Sequence, residues 1–368
     1  MKEIRVLHVL NGLSGGGAES FILNLYRNID TGKIKFDFLL RTTKNNPEYI
    51  KEVEKLGSKV YITPAFPRHF LRNFRETKKI LKENSYDIIH VHANSLMYVY
   101  PLYAAKKEGV SCRIIHSHNS TTQFGILCKM VHYINRCFIR RLANCYFACG
   151  QMAGKWLFGS AAFQVIPNAI DREKFNYEEG IRKRIRKELG VEDCFVIGSV
   201  GRFSKQKNHA FMISVFAEYL KQNQKAVLLL AGTGELQESV KKQVWDMGLE
   251  KNVLFLGQCS NVNELLQAMD LFIMTSLFEG LPFALLEAQA AGLAVLASDV
   301  VTEEVNVTGR IHYFSLKKAA KEWADEIEKI RRNENTREID EKAFEEYDIV
   351  KSAKKMEEFY TKSSKINV

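Results

Sequence analysis

Several features that would assign the chain to a well-known class are missing from its sequence. Its longest apolar runs are well short of the roughly 20 residues that a membrane-spanning helix needs. A strand-like run begins at Ile4, so we expect no signal peptide. The seven cysteines have no regular spacing, which predicts reduced thiols in a cytoplasmic protein rather than disulfides or a zinc site.

The familiar nucleotide-binding motifs are also absent. There is no Walker A sequence, and the glycine-rich run after the first strand breaks the dinucleotide spacing G-x-G-x-x-G at Ser20. No D-x-D sequence occurs anywhere, so we expect no metal site of that kind. A phosphorylated ligand would therefore have to be held by other means.

Acidic residues are scarce in the first half of the chain. Residues 1–165 contain 24 Lys and Arg against 11 Asp and Glu, a net charge of +13, whereas residues 166–368 contain 29 against 32, a net charge of −3. Between Glu108 and Asp171 there is no acidic residue. This asymmetry predicts an anionic partner for the first half, which could be a nucleic acid, an anionic lipid or a phosphorylated substrate.

Apolar strand-like runs alternate with longer amphipathic runs along the whole chain. This alternation is typical of parallel α/β proteins, and the length of 368 residues favours two domains. We expect a doubly wound sheet in each half, with a glycine-bearing loop after its first strand. The predicted strands are Ile4–Leu10, Lys35–Leu40, Lys59–Ile62, Ile88–His92, Arg113–His116, Tyr146–Ala148, Val196–Val200, Ala226–Ala231, Val253–Leu256, Leu271–Met274 and Ala294–Ala297, and the predicted helices include Glu19–Asn28, Leu71–Glu83, His209–Lys221 and Leu236–Met247.

One segment carries two glutamates eight positions apart, between a predicted strand and a predicted helix. Glu279 lies in the loop that follows Leu271–Met274, and Glu287 lies about two turns into the helix-like run after it. Amides at a helix start are unpaired and bind anions, and carboxylates accept hydrogen bonds from sugar hydroxyls. The segment therefore predicts a site for a phosphate that carries sugars, with a solvated loop and a surface ion pair as the alternative.

Three further loops that follow predicted strands suit a phosphorylated ligand. Arg202 and Lys207 share one of them, where a planar guanidinium and a mobile ammonium could hold a diphosphate. Gly232 lies in the second, and Gly16 and Gly17 lie in the third, where glycine permits close approach of a ligand. Each loop taken alone is also consistent with an ordinary turn or a solvated basic surface.

Five histidines occupy strands or strand ends in the first half. A histidine on a strand is more often a hydrogen-bonded packing residue than a catalyst. His118 is the best placed for chemistry, because it enters a loop at the carboxyl edge of the predicted sheet, where open α/β sheets bind ligands. The five are His8, His90, His92, His116 and His118.

In combination and in this order, these segments resemble the family 4 glycosyltransferases, which have the two-domain GT-B fold. The E-x7-E pair after the Arg/Lys loop is the most specific part of the likeness, and the finer pattern is most similar to enzymes that build exopolysaccharide or capsule repeat units. The departures are Ala294, where relatives commonly carry proline, and Ala169, where glycine is frequent. The matching segments are Gly16-Gly17-Ala18-Glu19, Asp87–His92, Ser117-His118-Asn119, Pro167–Asp171, Gly201-Arg202 with Lys207-Asn208, Ala231–Gly234 and the Glu279/Glu287 pair.

The resemblance implies two Rossmann-like, doubly wound domains that face each other across a cleft. Residues 1–165, completed by a C-terminal helix over residues 345–362, would form the acceptor-side domain, and residues 166–344 would bind the nucleotide-sugar. By match to the family, Arg202 and Lys207 would hold the donor diphosphate. Gly232 and the amides of Phe283 and Ala284 would also lie at the donor.

The same resemblance implies roles for the remaining matched residues. Glu287 would hold the ribose, and Glu279 would meet hydroxyls of the transferred sugar. His118 would lie near the reacting carbon, and Gly16 and Gly17 would let the first domain close onto the donor. Because cations and helix-start amides would stabilise the leaving diphosphate, we expect no metal and no cofactor.

The activity implied by the resemblance is a retaining glycosyl transfer of the EC 2.4 class. A hexose or N-acetylhexosamine would pass from a nucleotide-diphospho-sugar, with UDP favoured by family habit, to a glycan acceptor that is lipid-linked. The alternatives are a nucleic-acid-binding protein, which the basic half suggests but for which no module is apparent, and a catalytically silent sugar-nucleotide-binding subunit. A nucleotide-sugar epimerase of similar fold is a more distant alternative.

Two basic stripes predict that the first domain attaches reversibly to an anionic membrane on its cytoplasmic face. Basic residues near an anionic leaflet each contribute about 1 kcal/mol to binding. The alternative for each stripe is a solvated face over an ordinary packed helix. The first stripe is Arg68, Arg72, Arg75, Lys79 and Lys82, and the second is Lys129, Arg136 and Arg140, opposite Leu127, Met130, Val131, Ile134, Phe138 and Leu142.

Overall fold

The chain forms two compact units, each built around a parallel β-sheet. The computed structural model describes residues 3–121, 125–333 and 336–365. The first unit contains the described residues up to Ala169 and from Glu346 onward, and the second contains Ile170–Glu345. The predicted boundary after residue 165 therefore lies just inside the first unit.

The strands confirm the predicted alternation of elements. Three strands have the predicted bounds: β1 (Ile4–Leu10), β9 (Ala226–Ala231) and β11 (Leu271–Met274). The prediction omits β7 (Gln164–Val165) and β13 (Ile311–Phe314). The strands of the first unit are β1 (Ile4–Leu10), β2 (Ile34–Leu40), β3 (Val60–Ile62), β4 (Ile88–Ala93), β5 (Cys112–Ser117), β6 (Cys145–Ala148) and β7 (Gln164–Val165), and those of the second are β8 (Phe195–Val200), β9 (Ala226–Ala231), β10 (Val253–Gly257), β11 (Leu271–Met274), β12 (Ala294–Ser298) and β13 (Ile311–Phe314).

The two sheets share one strand order. The first runs β3-β2-β1-β4-β5-β6-β7 and the second runs β10-β9-β8-β11-β12-β13, with every pairing parallel. This is the Rossmann order, in which the direction of winding reverses beside the first strand of each sheet. Ligands of open α/β sheets bind at the carboxyl ends of the strands at that reversal, which lies between β1 and β4 in one unit and between β8 and β11 in the other.

Helices connect successive strands. Asn46 caps α2 (Pro47–Lys55) by accepting a hydrogen bond from the amide of Glu48. Asp348 caps α13 (Ile349–Ser363) by accepting one from the amide of Lys351 at 2.8 Å. The helices are α1 (Gly17–Asn28), α2 (Pro47–Lys55), α3 (Phe70–Glu83), α4 (Tyr100–Lys107), α5 (Ile126–Leu142), α6 (Gln151–Phe158), α7 (Glu179–Leu189), α8 (His209–Gln222), α9 (Gln237–Asp246), α10 (Val262–Ala268), α11 (Phe283–Ala290), α12 (Ala320–Asn333) and α13 (Ile349–Ser363).

The core of the second unit is apolar. Every residue of β9 is buried, as expected for a central parallel strand covered on both faces. Trp323 of α12 is fully buried in this core, and its indole nitrogen donates to the Ser315 carbonyl at 3.1 Å. The sheet therefore provides a rigid base for the loops at its carboxyl edge.

The core of the first unit contains polar residues at its centre. His8 lies opposite His90 in the pairing of β1 with β4, and His92 lies opposite His116 in the pairing of β4 with β5. Since alternate residues of a strand share a face, His90 and His92 point to the same side of the sheet.

None of the described helices is long and apolar enough to cross a membrane.

Candidate functional site

In the second unit, the loops after β8 and β11 meet through a buried ion pair. The Nζ atom of Lys207 lies 2.7 Å from Oε1 of Glu279, and Nε2 of Gln206 donates to the other carboxylate oxygen at 3.1 Å. The Glu279 side chain is 7% exposed and that of Lys207 is 19% exposed. Removing charges from water is costly, so this pair is an ordered contact between the two loops, which excludes the alternative of a solvated Glu279.

Hydrogen bonds between the two loops hold this pair in place. The Thr275 hydroxyl donates to the carbonyls of Lys207 and Asn208 at 3.2 and 3.1 Å, and the Leu277 amide donates to the Gln206 carbonyl at 2.8 Å. Asn208 takes the left-handed conformation, with φ of 55°, between a 3-10 turn and the start of α8. Asparagine tolerates this conformation better than most residues, which explains its position at the turn.

The loop that contains Gly232 packs directly against the loop that contains Lys207. A Cβ atom at Gly232 would lie 2.0 Å from the carbonyl oxygen of Gly201, and the φ of Gly232 is +135°. The Gly201 amide donates to the Ala231 carbonyl at 2.9 Å. Close approach of backbone thus explains Gly232 within the unit itself, whether or not a ligand also uses the space.

Arg202 occupies a more open position than Lys207. Its side chain is 68% exposed, and its Nε atom donates to a carboxylate oxygen of Glu235 at 3.1 Å. The structure therefore gives the two predicted diphosphate-binding cations different partners. An exposed arginine held by a surface ion pair can turn toward a ligand at little cost.

Helix α11 begins beside the Glu279 loop. Phe283 and Ala284 are its first residues, and first-turn amides have no intrahelical carbonyl to bond, which makes them available to an anion. Glu287 lies about one turn from the start, so the predicted depth of about two turns is wrong. The predicted helix-like run, Ala284–Ala291, lies one residue later than the observed helix at both ends.

Glu287 is a half-buried carboxyl group that is partly protonated near neutral pH. Its removal from water raises its pKa to about 7. A ligand that donates hydrogen bonds to the ionised carboxylate stabilises that form and lowers the pKa of the group. Two vicinal hydroxyls of a ribose are donors of this kind.

In the first unit, the glycine loop after β1 is closed by a carboxylate from the helix it precedes. Glu19 accepts hydrogen bonds from the amide of Gly16 at 2.5 Å and from the amide of Ser14 at 2.8 Å. A Cβ atom at Gly12 would lie 2.5 Å from a Thr42 methyl group, whereas one at Gly17 would meet nothing within 4 Å. The loop is tight at its base and open at the start of α1.

The five histidines on or directly after the strands of the first unit, His8, His90, His92, His116 and His118, come together in one cluster, here called the histidine cluster. His92 bridges two of the others: its Nε2 atom lies 3.0 Å from Nδ1 of His8, and its Nδ1 atom lies 2.8 Å from Nε2 of His118. His90 lies 2.8 Å from the Tyr360 hydroxyl of α13 and 3.2 Å from His116. Burial lowers the pKa values of all five, to about 3 for His8 and His118, so they are neutral.

The two basic stripes differ in the structure. Arg68 lies before α3 begins, and on that helix Arg72 and Lys79 pair with Glu76 and Glu83 at 2.9 and 3.8 Å. Arg75 and Lys82 are also exposed. The first stripe is therefore partly neutralised and shorter than predicted.

On α5 the apolar side faces outward as well as the basic side. Ile126 is 80% exposed and Leu127 is 74% exposed, and Met130, Ile134 and Phe138 are exposed too. Only His132 and Ile139 of this helix are buried among the residues that the structure describes. Lys129 and Arg140 of the same helix are also exposed, and Arg136 is half-buried.

Sequence reasoning missed several residues that shape these sites. Gln206 and Thr275 contact the Lys207–Glu279 pair or its loop, and Tyr360 anchors α13 to the histidine cluster. Phe21 packs on His116 with ring centroids 4.9 Å apart. Gln206 lies within the basic loop and could have been suspected, whereas the other contacts join residues far apart in the chain.

Two family models match the chain, one for each unit. The model described as "Glycosyltransferase Family 4" matches residues 15–174, and the model described as "Glycosyl transferases group 1" matches residues 181–346. The first match contains Gly16, Gly17 and His118, and the second contains the Lys207–Glu279 pair and Glu287.

Known proteins resemble the chain over most of its length. EpsF of Bacillus subtilis (strain 168), which is named as a glycosyltransferase, is 36% identical over 339 residues, 88% of this chain and 86% of EpsF. The UDP-Gal:alpha-D-GlcNAc-diphosphoundecaprenol alpha-1,3-galactosyltransferase of Escherichia coli is 33% identical over 239 residues, 60% of each chain. Among solved structures, Anabaena HepE in complex with UDP-glucose has a TM-score of 0.80 at 18% identity, covering 98% of this chain and 100% of HepE, a likeness of fold alone.

Proposed function

Because the chain belongs to glycosyltransferase family 4 and has the GT-B fold, we propose that it transfers a hexose or N-acetylhexosamine from a UDP-sugar to a lipid-linked glycan, in exopolysaccharide or capsule synthesis. The observation that carries the proposal is the buried Lys207–Glu279 pair at the reversal of the second sheet. The E. coli relative, whose name specifies UDP-Gal and a diphosphoundecaprenol-linked acceptor, supports the choice of donor and acceptor.

In this proposal the second unit binds the donor. The ammonium group of Lys207, the guanidinium group of Arg202 and the amides of Phe283 and Ala284 contact the diphosphate. Glu287 accepts hydrogen bonds from the ribose, which explains why a carboxyl group with a pKa of about 7 is kept there. Gly232 keeps the neighbouring loop close to the diphosphate-binding loop.

The proposed chemistry needs positive charge where the diphosphate leaves. As the bond to the anomeric carbon breaks, negative charge grows on the leaving group, and Lys207 and the α11 amides stabilise it because they are already oriented. Glu279 holds Lys207 in place and accepts from hydroxyls of the sugar. His118 contacts the sugar near its reacting carbon, Gly16 and Gly17 give the donor room, and the product retains the anomeric configuration, as is usual in the family.

We further propose that α5 attaches the protein to an anionic membrane that presents the acceptor, at the cytoplasmic face. Exposed apolar side chains on the helix that also carries Lys129, Arg136 and Arg140 suit the boundary between lipid tails and anionic headgroups. Exposed apolar side chains on a soluble surface are costly unless something covers them. The lysines and arginines of α3 add a weaker attraction, since Glu76 and Glu83 offset part of their charge.

The test of the proposed function is an assay of UDP release and product formation. The protein is incubated with a panel of UDP-, GDP- and ADP-sugars and a diphospho-polyprenyl-linked sugar in anionic vesicles. We expect one UDP-sugar to give acceptor-dependent UDP release, and the product's anomeric configuration, read by NMR, to match that of the donor. Absence of turnover with UDP-, GDP- and ADP-sugars alike would contradict the assignment.

A further inference from the structure

The histidine cluster contains two separate chains of hydrogen bonds. One joins His8, His92 and His118, and the other joins Tyr360, His90 and His116. Only the first chain includes the histidine to which the proposed function gives a role at the sugar. His8 is fully buried at its inner end, where its ring lies against Phe36 with centroids 4.2 Å apart.

We propose that His92 and His8 are positioning residues for His118, and that the three rings share one tautomer which fixes what His118 offers to the sugar. His92 contacts the reacting centre only through His118, and His8 only through His92. The part of this inference that concerns the sugar rests on the proposed function. The shared tautomer does not.

The shared tautomer follows from the number of protons in the chain. Each neutral imidazole carries one N–H and one bare nitrogen, so the two hydrogen bonds through His92 must run in the same direction. If His8 donates from Nδ1, then His92 and His118 also carry their hydrogens on Nδ1. If His118 donates from Nε2, then all three carry them on Nε2.

The direction of the chain determines the chemistry at His118. Its Nε2 atom is occupied by His92. Its Nδ1 atom is buried and has no hydrogen-bond partner among the residues that the structure describes, so Nδ1 is the ring nitrogen that meets a ligand once the atom is uncovered. With hydrogens on Nδ1 throughout, His118 is a donor to a sugar oxygen. With hydrogens on Nε2 throughout, it is an acceptor.

Two other interpretations of the cluster account for less. Three of its imidazoles, those of His92, His116 and His118, have nitrogens within 4.8 Å of one another, which is a metal-like spacing. However, both ring nitrogens of His92 already bond to His8 and His118, so a metal ion bound by His92 would have to break one of these hydrogen bonds. Simple packing explains the burial but not two ordered hydrogen bonds through one ring.

The first experiment reads the tautomers directly in the unliganded wild-type protein. Selective 15N labelling of histidine and long-range correlation of ring nitrogens with ring protons distinguish Nδ1–H from Nε2–H at each ring, and His→Gln variants assign the signals. We expect His8, His92 and His118 to show the same tautomer at pH 7.5. Different tautomers among the three, or signals that shift on addition of Zn2+ alone, would overturn the proposal.

The second experiment is a double-mutant cycle on turnover. His92→Phe should lower kcat about 10-fold while changing KM for the donor by less than about 2-fold, and in a His118→Ala background it should change kcat by less than about 2-fold. His92→Asn, which keeps an amide near the position of Nδ1, should restore most of the loss. Equal losses of kcat in both backgrounds would show that His92 does not act through His118.

His90→Phe is the matched control, because His90 is also buried in the same cluster but bonds to Tyr360 and His116 instead of His118. We expect it to lower the melting temperature without the dependence on His118. If wild-type protein turns over no nucleotide-sugar, the proposed function fails while the NMR result still decides the shared tautomer. If turnover is normal and the tautomers differ, this inference alone fails.

Discussion

The two units have the same strand order but carry their polar groups in different places. In the second unit the Lys207–Glu279 pair lies in loops beyond the carboxyl ends of β8 and β11, over an apolar sheet. In the first unit the five residues of the histidine cluster lie within strands β1, β4 and β5 or directly after them. Loops can gain or lose charge without disturbing the sheet beneath, whereas polar groups inside a sheet must satisfy one another. The units should therefore respond differently to acid and to substitution.

The largest difference is expected on lowering the pH. Burial holds the pKa values of the histidine cluster far below those of the unfolded chain. Because the unfolded chain binds these protons and the folded chain does not, the free energy of unfolding falls as the pH drops below about 6.5. From pH 6.5 to 5.5 the loss is about 1 kcal/mol per histidine, or about 5 kcal/mol for five.

Hydrogen exchange followed by mass spectrometry can resolve this loss by unit. Amides of β4 should lose protection between pH 6.5 and 5.5, after correction for intrinsic rates, while amides of β9 keep most of theirs. The second unit is the internal control, since its two histidines lie on different elements, His209 on α8 and His312 on β13, and burial lowers the pKa of His209 to about 4. Parallel loss in both strands would show that the histidines are not the cause.

The next largest effect concerns the loop pair of the second unit. Lys207→Gln should reduce turnover of the donor about 30- to 1000-fold, because it removes a charge that stabilises the leaving diphosphate, worth about 2–4 kcal/mol. Lys205→Gln, an exposed lysine in the same turn, is the control and should leave turnover near the wild-type value. Turnover within about 3-fold of wild type for Lys207→Gln would remove the diphosphate from this loop.

Stability must be measured beside that activity, because breaking a buried pair leaves one charge alone. Lys207→Gln leaves the Glu279 carboxylate unpaired and should lower the melting temperature. Adding Glu279→Gln restores a neutral hydrogen-bonded pair and should recover much of the melting temperature without recovering turnover. Recovery of both together would mean that the first substitution acted through folding alone.

Substituting Glu287 should have a smaller effect, on UDP binding, and this effect should depend on pH. Ribose hydroxyls that donate to its carboxylate favour the ionised form, so UDP binding should release up to about one proton near pH 6. Titration calorimetry in buffers of different ionisation enthalpy measures this release. Glu287→Gln should abolish it and weaken UDP by about 1.5–3 kcal/mol, whereas Glu279→Gln should spare UDP and weaken the UDP-sugar.

The smallest expected effect per residue is on binding to anionic membranes, and it should differ between the two basic stripes of the first unit. Replacing Lys129 and Arg140 of α5 by Glu should weaken binding to anionic vesicles by at least about 1 kcal/mol per residue. The matched pair Arg75→Glu and Lys79→Glu on α3 should cost less, because Glu83 already offsets Lys79. Co-sedimentation at low and high salt measures both, and equal recovery in the supernatant with neutral and anionic vesicles would contradict membrane attachment.

The sequence predicted the fold well where strands are long and continuously apolar, as in β1, β9 and β11. It missed β7, which has two residues, and β13, where His312 interrupts the apolar run. Such strands are defined by their neighbours in the sheet rather than by their own pattern.

The candidate site was predicted as a set of residues but not as a set of contacts. The sequence indicated both Lys207 and Glu279, yet nothing in it shows that residues 72 positions apart form an ion pair. Likewise, His92 looked like a packing residue until its two ring nitrogens were seen to bond to His8 and His118. For α5, periodicity could not show which side of the helix would be left exposed.

The most direct measurement of the central claim is hydrogen exchange in the second unit with and without the UDP-sugar that the protein uses. We expect slower exchange at Gly201–Asn208 and Thr275–Ala284, which carry the diphosphate-binding groups, and little change at the opposite ends of β8 and β11. UDP-sugar binding that leaves exchange in both loops unchanged would contradict the placement of the donor at the Lys207–Glu279 pair.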